Sequence, residues 1–404
     1  MDLPFARSQR STLGLEWELA LVDRQTGDLR SVADRILTAC QDDAAADPMI
    51  TLDGDQHPYV KQELLTNTVE LITEVCDSVA EGVGSLRQTA QNVMRHCDPL
   101  DVDLYSQGSH PFAPPTEQPV TDEERYAELI RRTQWWGRQM VIYGVHVHVG
   151  LDDRRQAMPV VDGLLNFYPH FQALSASSPF WSGEDTGYAS QRALMFQQLP
   201  TAGLPFQFDQ WSGFEQCVGD LAHTGVIEDA TEVRWDIRAV PRFGTVEMRI
   251  CDGLATLEEI AGVAALTQCL VHSLVEEIDD GRQVPTMPPW FTQENKWRAA
   301  RYGLDAIIIL DAEGTEELVT DHLTRELNRL EPVARRLGCA GELRLVEDMM
   351  HQGAGYQRQR RVAEEHRGDL RQVVRDSAAR TRRSIVTAPS DTDAPDARPT
   401  HSAV

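Results

Sequence analysis

The chain has 404 residues, 41% of them hydrophobic, enough for one large domain or two ordinary ones with a real core. A formal charge of −25 opposes nucleic acid or an anionic membrane surface as the main partner, because both would repel it. No apolar run approaches the roughly 20 residues that span a bilayer, the start MDLPFARSQR lacks a secretion signal's apolar segment, and the seven cysteines are scattered without a C-x-x-C pair, so a cytoplasmic protein with neither a disulfide framework nor a thiolate zinc site is expected.

Residues 1–10 read as an N-terminal lead. In STLGLEWELALVD (11–23), Leu13, Leu15, Trp17 and Leu19 alternate with Gly14, Glu16, Glu18 and Ala20. That is the period of a strand, and it puts both glutamates on one face. A helical stretch near 31–46 precedes KQELLTNTVELIT (61–73), which is β-branched at its end and ambiguous in its middle. One helix is predicted over 79–97 and another over 121–140, with Thr121 as N-cap and Glu124 completing a capping box. GVHVHVG (144–150) follows as a strand, with His146 and His148 on one face and Val145, Val147 and Val149 on the other.

Residues 158–177 read as one largely buried helix despite Pro169. The segment 178–206, rich in Gly, Pro, Ser and Thr, is too long for a simple connector, and such loops tend to carry function. Within it, 183–206 is a candidate lid, with Gly183, Gly187 and Gly203 as hinge points, or a static structural loop. VRWDIRAVPRFGTVEMRICD (233–252) reads as two strands around a Pro-Arg-Phe-Gly turn. Helices near 256–279, 315–337 and 356–380 complete a domain over 11–382, and from 383 the Pro, Asp, Ser and Thr content predicts a disordered tail. The strands lack a regular βαβ rhythm and a Gly-rich phosphate loop, so an α+β domain with an antiparallel sheet is expected.

Ionisable side chains recur in four strand-like segments: Glu16 with Glu18, Glu63 with Glu70, His146 with His148, and Glu247 with Arg249. Any one pair is what a strand with one solvated face produces. Four in strongly apolar surroundings fit that explanation less well, since buried carboxylates are costly unless paired or coordinating. Brought together, they would form a set of hard oxygen ligands suited to Mg²⁺ or Mn²⁺, ions that bridge to nucleotide phosphates, which points to phosphoryl chemistry. The competing reading takes His146 and His148 as the zinc pair of a hydrolase, with His110 or His57 as the third ligand, although neither stands at a familiar spacing. A third reading is a metabolite-binding protein without turnover.

GLEWE, ELLTNTVELIT, GVHVHVG, the loop SASSPFWSGEDTGYASQRA with LPTAGLPF, and WDIR followed by GTVEMRICD stand in an order that resembles the glutamate–cysteine ligase type 2 family, specifically its YbdK-like carboxylate–amine ligase branch, over roughly residues 11–380. The resemblance implies a glutamine-synthetase-like fold: a curved, mostly antiparallel sheet whose concave face holds the active site, with helices on its convex side. It also implies ATP and Mg²⁺, with Mn²⁺ as an alternative ion, phosphorylation of a carboxylate such as that of glutamate, and capture of the acyl phosphate by an amine such as that of cysteine. Carried over by motif, Glu16, Glu18, Glu70, His146 and Glu247 are metal ligands, and Arg249 steadies the transferred phosphoryl group. Arg238 and Arg192 are candidates for gripping a substrate carboxylate or phosphate, since a guanidinium holds either in bidentate fashion. His148 faces the same pocket with its role open, and Glu63 is either a metal or amine-site residue or a solvated carboxylate. A homo-oligomer is left open.

Overall fold

The computed structural model describes residues 3–47, 50–54 and 56–387. In chain order it comprises β1 (Leu13–Asp23), α1 (Ala33–Ala46), β2 (Val60–Gln62), β3 (Thr68–Ile72), α2 (Val79–Cys97), β4 (Val102–Tyr105), α3 (Glu124–Thr133) and β5 (Val145–Gly150). There follow α4 (Ala157–Leu165), α5 (Tyr168–Ser175), β6 (Phe180–Trp181), β7 (Glu184–Asp185), α6 (Arg192–Phe196), α7 (Trp211–His223), β8 (Ile237–Val240) and β9 (Thr245–Met248). The last part holds α8 (Leu257–Asp279), α9 (Pro289–Tyr302), β10 (Ile307–Ile309), β11 (Glu316–Leu318), α10 (Val319–Leu337), α11 (Ala340–Gln352), α12 (Gly355–Glu365) and α13 (Leu370–Val386).

The main sheet runs β2-β3-β1-β5-β9-β8 with every pairing antiparallel, and β4 pairs the far end of β1 beyond β5. Its two faces differ because the sequence alternates. Leu13, Leu15, Trp17 and Leu19 of β1 and Val145, Val147 and Val149 of β5 are fully buried, under α2 and α8, while α4 lies against β8 and β9. Complete burial of a side chain of this size stabilises the fold by about 1.5–3 kcal/mol. The one polar atom of Trp17 is satisfied, its Nε1 donating to Ser106 Oγ at 2.8 Å. α10 and α11 form a further layer on α8, which starts at a complete Thr256–Glu259 capping box. The α+β, mostly antiparallel architecture expected from the strand patterns is what the chain adopts, with helices over one face and the other left polar.

Several boundaries differ from expectation, each for a local reason. The helix predicted over 121–140 starts only at Glu124, with Glu123 at the cap position. Thr121 does not cap it: its hydroxyl donates to Glu63 O at 2.6 Å and accepts from Gln62 Nε2 at 3.0 Å, so a tertiary contact outcompetes the capping box. The helix predicted over 158–177 is two, α4 and α5, with Pro169 in the first turn of the second, where its missing N–H costs nothing. The stretch 356–380 likewise divides into α12 and α13 around Gly368, whose φ of +85° no helix interior accommodates. α13 continues to Val386, past the expected start of the tail at 383, and residues 388–404 lie outside the described residues. α7, α9 and α11 were not anticipated. Among the described residues no helix is long and apolar enough to cross a membrane.

The N-terminal residues strap the β8–β9 turn. Ala6 N donates to Pro241 O at 2.8 Å and Ser8 N to Leu151 O at 3.1 Å, while Leu151 N donates to Gly244 O at 2.9 Å. Gly244 takes φ of +64°, and a Cβ there would sit 2.0 Å from Ala6 O, so the turn needs glycine for both conformation and space.

Candidate active site

Strand register assembles the site. Glu18 stands opposite Glu70, Glu16 opposite His146, His148 opposite Glu247, and Glu247 opposite Arg238. Arg249 lies just past the end of β9, two residues after Glu247, and Arg192 enters from the start of α6. Nine of the side chains singled out from the sequence, scattered over some 230 positions, thus meet at the polar face of one sheet.

The Arg238 end is cationic. Glu247 is completely buried and is gripped on both oxygens: Arg238 Nε donates to Oε2 at 2.6 Å and Arg249 Nη1 donates to Oε1. Burial alone would raise this carboxyl, but the two guanidiniums hold it well below the ordinary range. Arg238 is fixed further by donating from Nη1 to Val233 O at 2.7 Å and Thr231 O at 2.9 Å. Arg192, 4% exposed, donates from Nη1 to the carbonyls of Arg249 and Ile250 and brings Nη2 to 3.5 Å from His146 Nε2. Both Arg192 and Arg249 lie near the Phe196 ring, at 6.0 and 5.9 Å.

The two histidines have different roles. His146 Nδ1 is 2.7 Å from Glu16 Oε2. A carboxylate only accepts, so Nδ1 donates this bond, and Nε2 is the nitrogen turned toward the other carboxylates, with Glu18 Oε1 3.8 Å away. This is the arrangement in which a carboxylate orients a metal-binding imidazole. His148 instead spends both nitrogens within the protein, Nδ1 at 3.0 Å from Thr245 Oγ1 and Nε2 at 3.1 Å from Glu16 Oε1. Burial would lower its pKa, but Glu247 and Glu16 raise it above the usual histidine value. Burial likewise works against the Glu16 carboxylate, and hydrogen bonds from both imidazoles hold its pKa well below the ordinary range.

The β3 end is acidic and undercompensated. The Glu70 carboxylate makes no hydrogen bond or ion pair with any described residue; burial, then the charges of Glu16, Glu63 and Glu18, push its pKa well above the carboxylate range. Glu63 is raised to about 7 by burial and then by Glu18, with one oxygen accepting from Leu64 N at 3.0 Å. Glu18, Glu70 and His146 form one group of donor atoms lying within 4.8 Å of one another, and Glu16, His146 and Glu247 form a second. Hard oxygens with surplus negative charge fit a divalent cation. Next to them opens a cavity of about 800 Å³ lined by Glu16, Glu63, Glu70, His148, Lys61 and Arg242 among others.

The sign of the Glu63 shift has a measurable consequence. The folded protein holds this proton more tightly than the unfolded chain, so its contribution to stability is present below pH 4.5 and lost as pH rises to about 7. In metal-free protein, the stability of Glu63→Gln relative to the parent should therefore climb over that window, by roughly 1–2 kcal/mol after discounting for solvent at the cavity edge. Urea titrations at pH 4.5 and 7 measure it, and an unchanged difference would remove Glu63 from this electrostatic cluster.

Neither histidine considered as a third zinc ligand joins this cluster. His110 is buried elsewhere, with Nε2 2.9 Å from Gly27 O and Nδ1 accepting from Ala113 N at 3.0 Å. His57 Nδ1 accepts from Tyr59 N and Val60 N, both at 3.1 Å. Carboxylates, not imidazoles, complete both donor groups.

The 183–206 segment frames the site and is bonded down at each glycine considered as a hinge. Gly183 N donates to Pro111 O at 2.9 Å, Gly187 O accepts from Arg301, and Gly203 O accepts from Asp236 N at 2.8 Å. Asp252, fully buried, ties the chain just before the segment to its interior, accepting from Ser177 N, Ser178 Oγ and Ser190 Oγ at 2.7 to 3.0 Å. Sequence reasoning passed over Asp252, Asp236 and the cavity-lining Lys61. Asp236 stood inside the quoted WDIR, and the chain has only two lysines, Lys61 and Lys296, a rarity that could have drawn attention to both.

Gly144, the first residue of GVHVHVG, makes the room for Arg192: a Cβ there would sit 2.2 Å from Arg192 Nη2 and 3.0 Å from Cys251 O. Its N–H also donates to Glu18. Gly144→Ala is expected to fold with a loss of about 1–3 kcal/mol from overpacking and to displace the Arg192 guanidinium. Denaturant melts read the first effect and a crystal structure of the variant the second.

Comparison with known proteins agrees with this geometry. The glutamate-cysteine ligase family 2 (GCS2) matches residues 12–376. A protein of Arthrobacter sp. (strain FB24) named "Putative glutamate–cysteine ligase 2-1" is 64% identical over 376 residues, 93% of this chain and 97% of its own length. One of Paenarthrobacter aurescens (strain TC1), named "Putative glutamate–cysteine ligase 2-2", is 60% identical over 95% of this chain and 99% of its own. In fold, the chain is similar to the crystal structure of a glutamate–cysteine ligase from Francisella tularensis in complex with AMP, with a TM-score of 0.66 at 13% identity, covering 96% of this chain and 91% of that one. With a family match across nearly all of the folded chain and relatives at 60 and 64% identity, this protein belongs to glutamate–cysteine ligase family 2.

Proposed function

We propose that this protein is an ATP-dependent carboxylate–amine ligase, which phosphorylates the carboxylate of an amino acid such as glutamate and joins the acyl phosphate to an amine such as that of cysteine. The observation that carries this reading is the polarity of the site: carboxylates in surplus over their local cations at one end, and ordered guanidiniums at the other, on one sheet face. The names of the relatives and the AMP in the Francisella tularensis complex support it.

In this reading Glu18, Glu70 and His146 Nε2 would hold a Mg²⁺ or Mn²⁺ ion, while Glu16 and Glu247, on the Nδ1 side of the same imidazole and bonded through both oxygens, order the histidines and arginines around it. The bound cation would neutralise phosphate charge as the phosphoryl group transfers. Arg238 and Arg249 are locked on Glu247 before substrate arrives, so they offer positive charge to the phosphoryl oxygens without a reorganisation cost. Arg192 lies beside them to grip a phosphate or carboxylate oxygen. His148 keeps Glu16 aligned, and Glu16 in turn keeps the proton of His146 on Nδ1.

The test is a panel of amino acids and amines incubated with ATP and Mg²⁺, reading phosphate release and product mass. Phosphate release that depends on both a carboxylate and an amine, with the mass of their amide, is the expected result. Hydrolysis independent of ATP, or no amine-dependent release with any pair, would overturn the reading.

A further inference from the structure

We infer that Lys296 is a positioning residue for the arginine end of the site, acting through Asp236; its effect on turnover rests on the ligase reading above, whereas its effect on the strand does not. Lys296 is one of only two lysines in the chain and lies on α9 with 2% exposure. Its Nζ is 2.7 Å from Asp236 Oδ2, itself 2% exposed, and the Tyr168 hydroxyl donates to the same oxygen at 2.8 Å. The ammonium also lies 5.7 Å from the Tyr168 ring centre. Two charges at this depth have given up their hydration, and each holds the other in place, because losing either leaves an uncompensated buried charge.

The main chain of Asp236 carries this restraint to the site. Its N–H donates to Gly203 O at 2.8 Å, and its carbonyl accepts from Arg249 N at 2.8 Å. Two residues on is Arg238, whose guanidinium grips Glu247 beside that of Arg249. One carboxylate therefore joins α5 and α9 through its side chain, and the framing loop and the base of Arg249 through its backbone. Lys296 has no ion pair with any described group but Asp236, so its influence on the guanidiniums passes through that residue. Positioning by charge in a dry interior also accounts for a buried lysine in a chain that uses arginine almost everywhere else.

The variants are Lys296→Met, the neutral pair Lys296→Met/Asp236→Asn, which leaves no unpaired buried charge and so guards against simple unfolding, and the mild Tyr168→Phe. In free full-length protein, amide hydrogen exchange at Arg249 is expected to quicken at least tenfold in the first two variants relative to β1 amides, and more modestly in Tyr168→Phe. In steady-state kinetics, kcat is expected to fall ten- to a hundredfold with KM for each substrate within threefold. Arg249→Lys should then cost less in the Lys296→Met background than in the parent, as expected if both act on one element. Unchanged exchange at Arg249, kcat within twofold in a folded variant, or fully multiplicative losses would each overturn the inference. Absence of amine-dependent turnover in the unsubstituted protein would instead count against the ligase reading, and the exchange measurement would still decide the role of Lys296.

Discussion

Glu70→Gln should make the metal-free protein more stable and nearly inactive. Glu70 faces Glu16, Glu18 and Glu63 without an ion pair to any described residue, and burial and that repulsion, only partly offset by the charge of Arg249, push its carboxyl well above the ordinary range. An uncharged amide of the same shape relieves the repulsion, so a gain of about 0.5–2 kcal/mol is expected, the range of other stabilising substitutions at sites held in strain by function. The same change removes an oxygen ligand and its charge from the donor group of Glu18, Glu70 and His146. Loss of one fixed electrostatic contact in a dry site lowers kcat roughly 10²–10³-fold, and a cation ligand should sit at the upper end. Denaturant titration and phosphate-release kinetics on one preparation read both signs. A variant that is both less stable and fully active would contradict the assignment twice.

The same substitution at Glu247 should act in the opposite direction on stability. Here the carboxylate is held charged between Arg238 and Arg249 and is completely buried. Glu247→Gln leaves two guanidiniums facing each other with a single neutral acceptor. Removing one member of a buried ionic cluster costs roughly 3–5 kcal/mol, and the low end applies because both arginines keep some solvent contact. Activity should be lost as well, because the guanidiniums would no longer be held at the position where phosphoryl charge develops. Glu70 and Glu247 are thus chemically identical, lie on one sheet face and answer the same mutation with opposite changes in stability. A retained melting temperature in Glu247→Gln would mean that the arginine clamp contributes little to the fold.

Much of this was legible in the sequence because the sheet is read by alternation. GLEWE and GVHVHVG fixed which residues share a face, and the β8–β9 turn was marked by its Pro-Arg-Phe-Gly. What alternation does not give is register. That Glu18 meets Glu70 while Glu16 meets His146 depends on which strands are neighbours, and β1 has three partners. The distinct roles of the two histidines were out of reach for the same reason, since they depend on Thr245 and Glu16 arriving from other strands. Capping was misread at Thr121 because its competitor, the carbonyl of Glu63, is 58 residues away in sequence. Lys296 illustrates the remaining blind spot: a buried charge is unremarkable in a sequence until its partner is known.

In the proposed ligase, the carboxylate row holds a divalent cation through Glu18, Glu70 and His146. That binding is tested most directly by titrating Mn²⁺ into the full-length protein in the presence of an unreactive ATP analogue, following the free-ion electron paramagnetic resonance signal, for the parent and for Glu18→Gln. Saturable Mn²⁺ binding in the parent, competed by Mg²⁺ and weakened at least tenfold in the variant, is the expected result; identical titration curves for the two proteins would contradict this assignment.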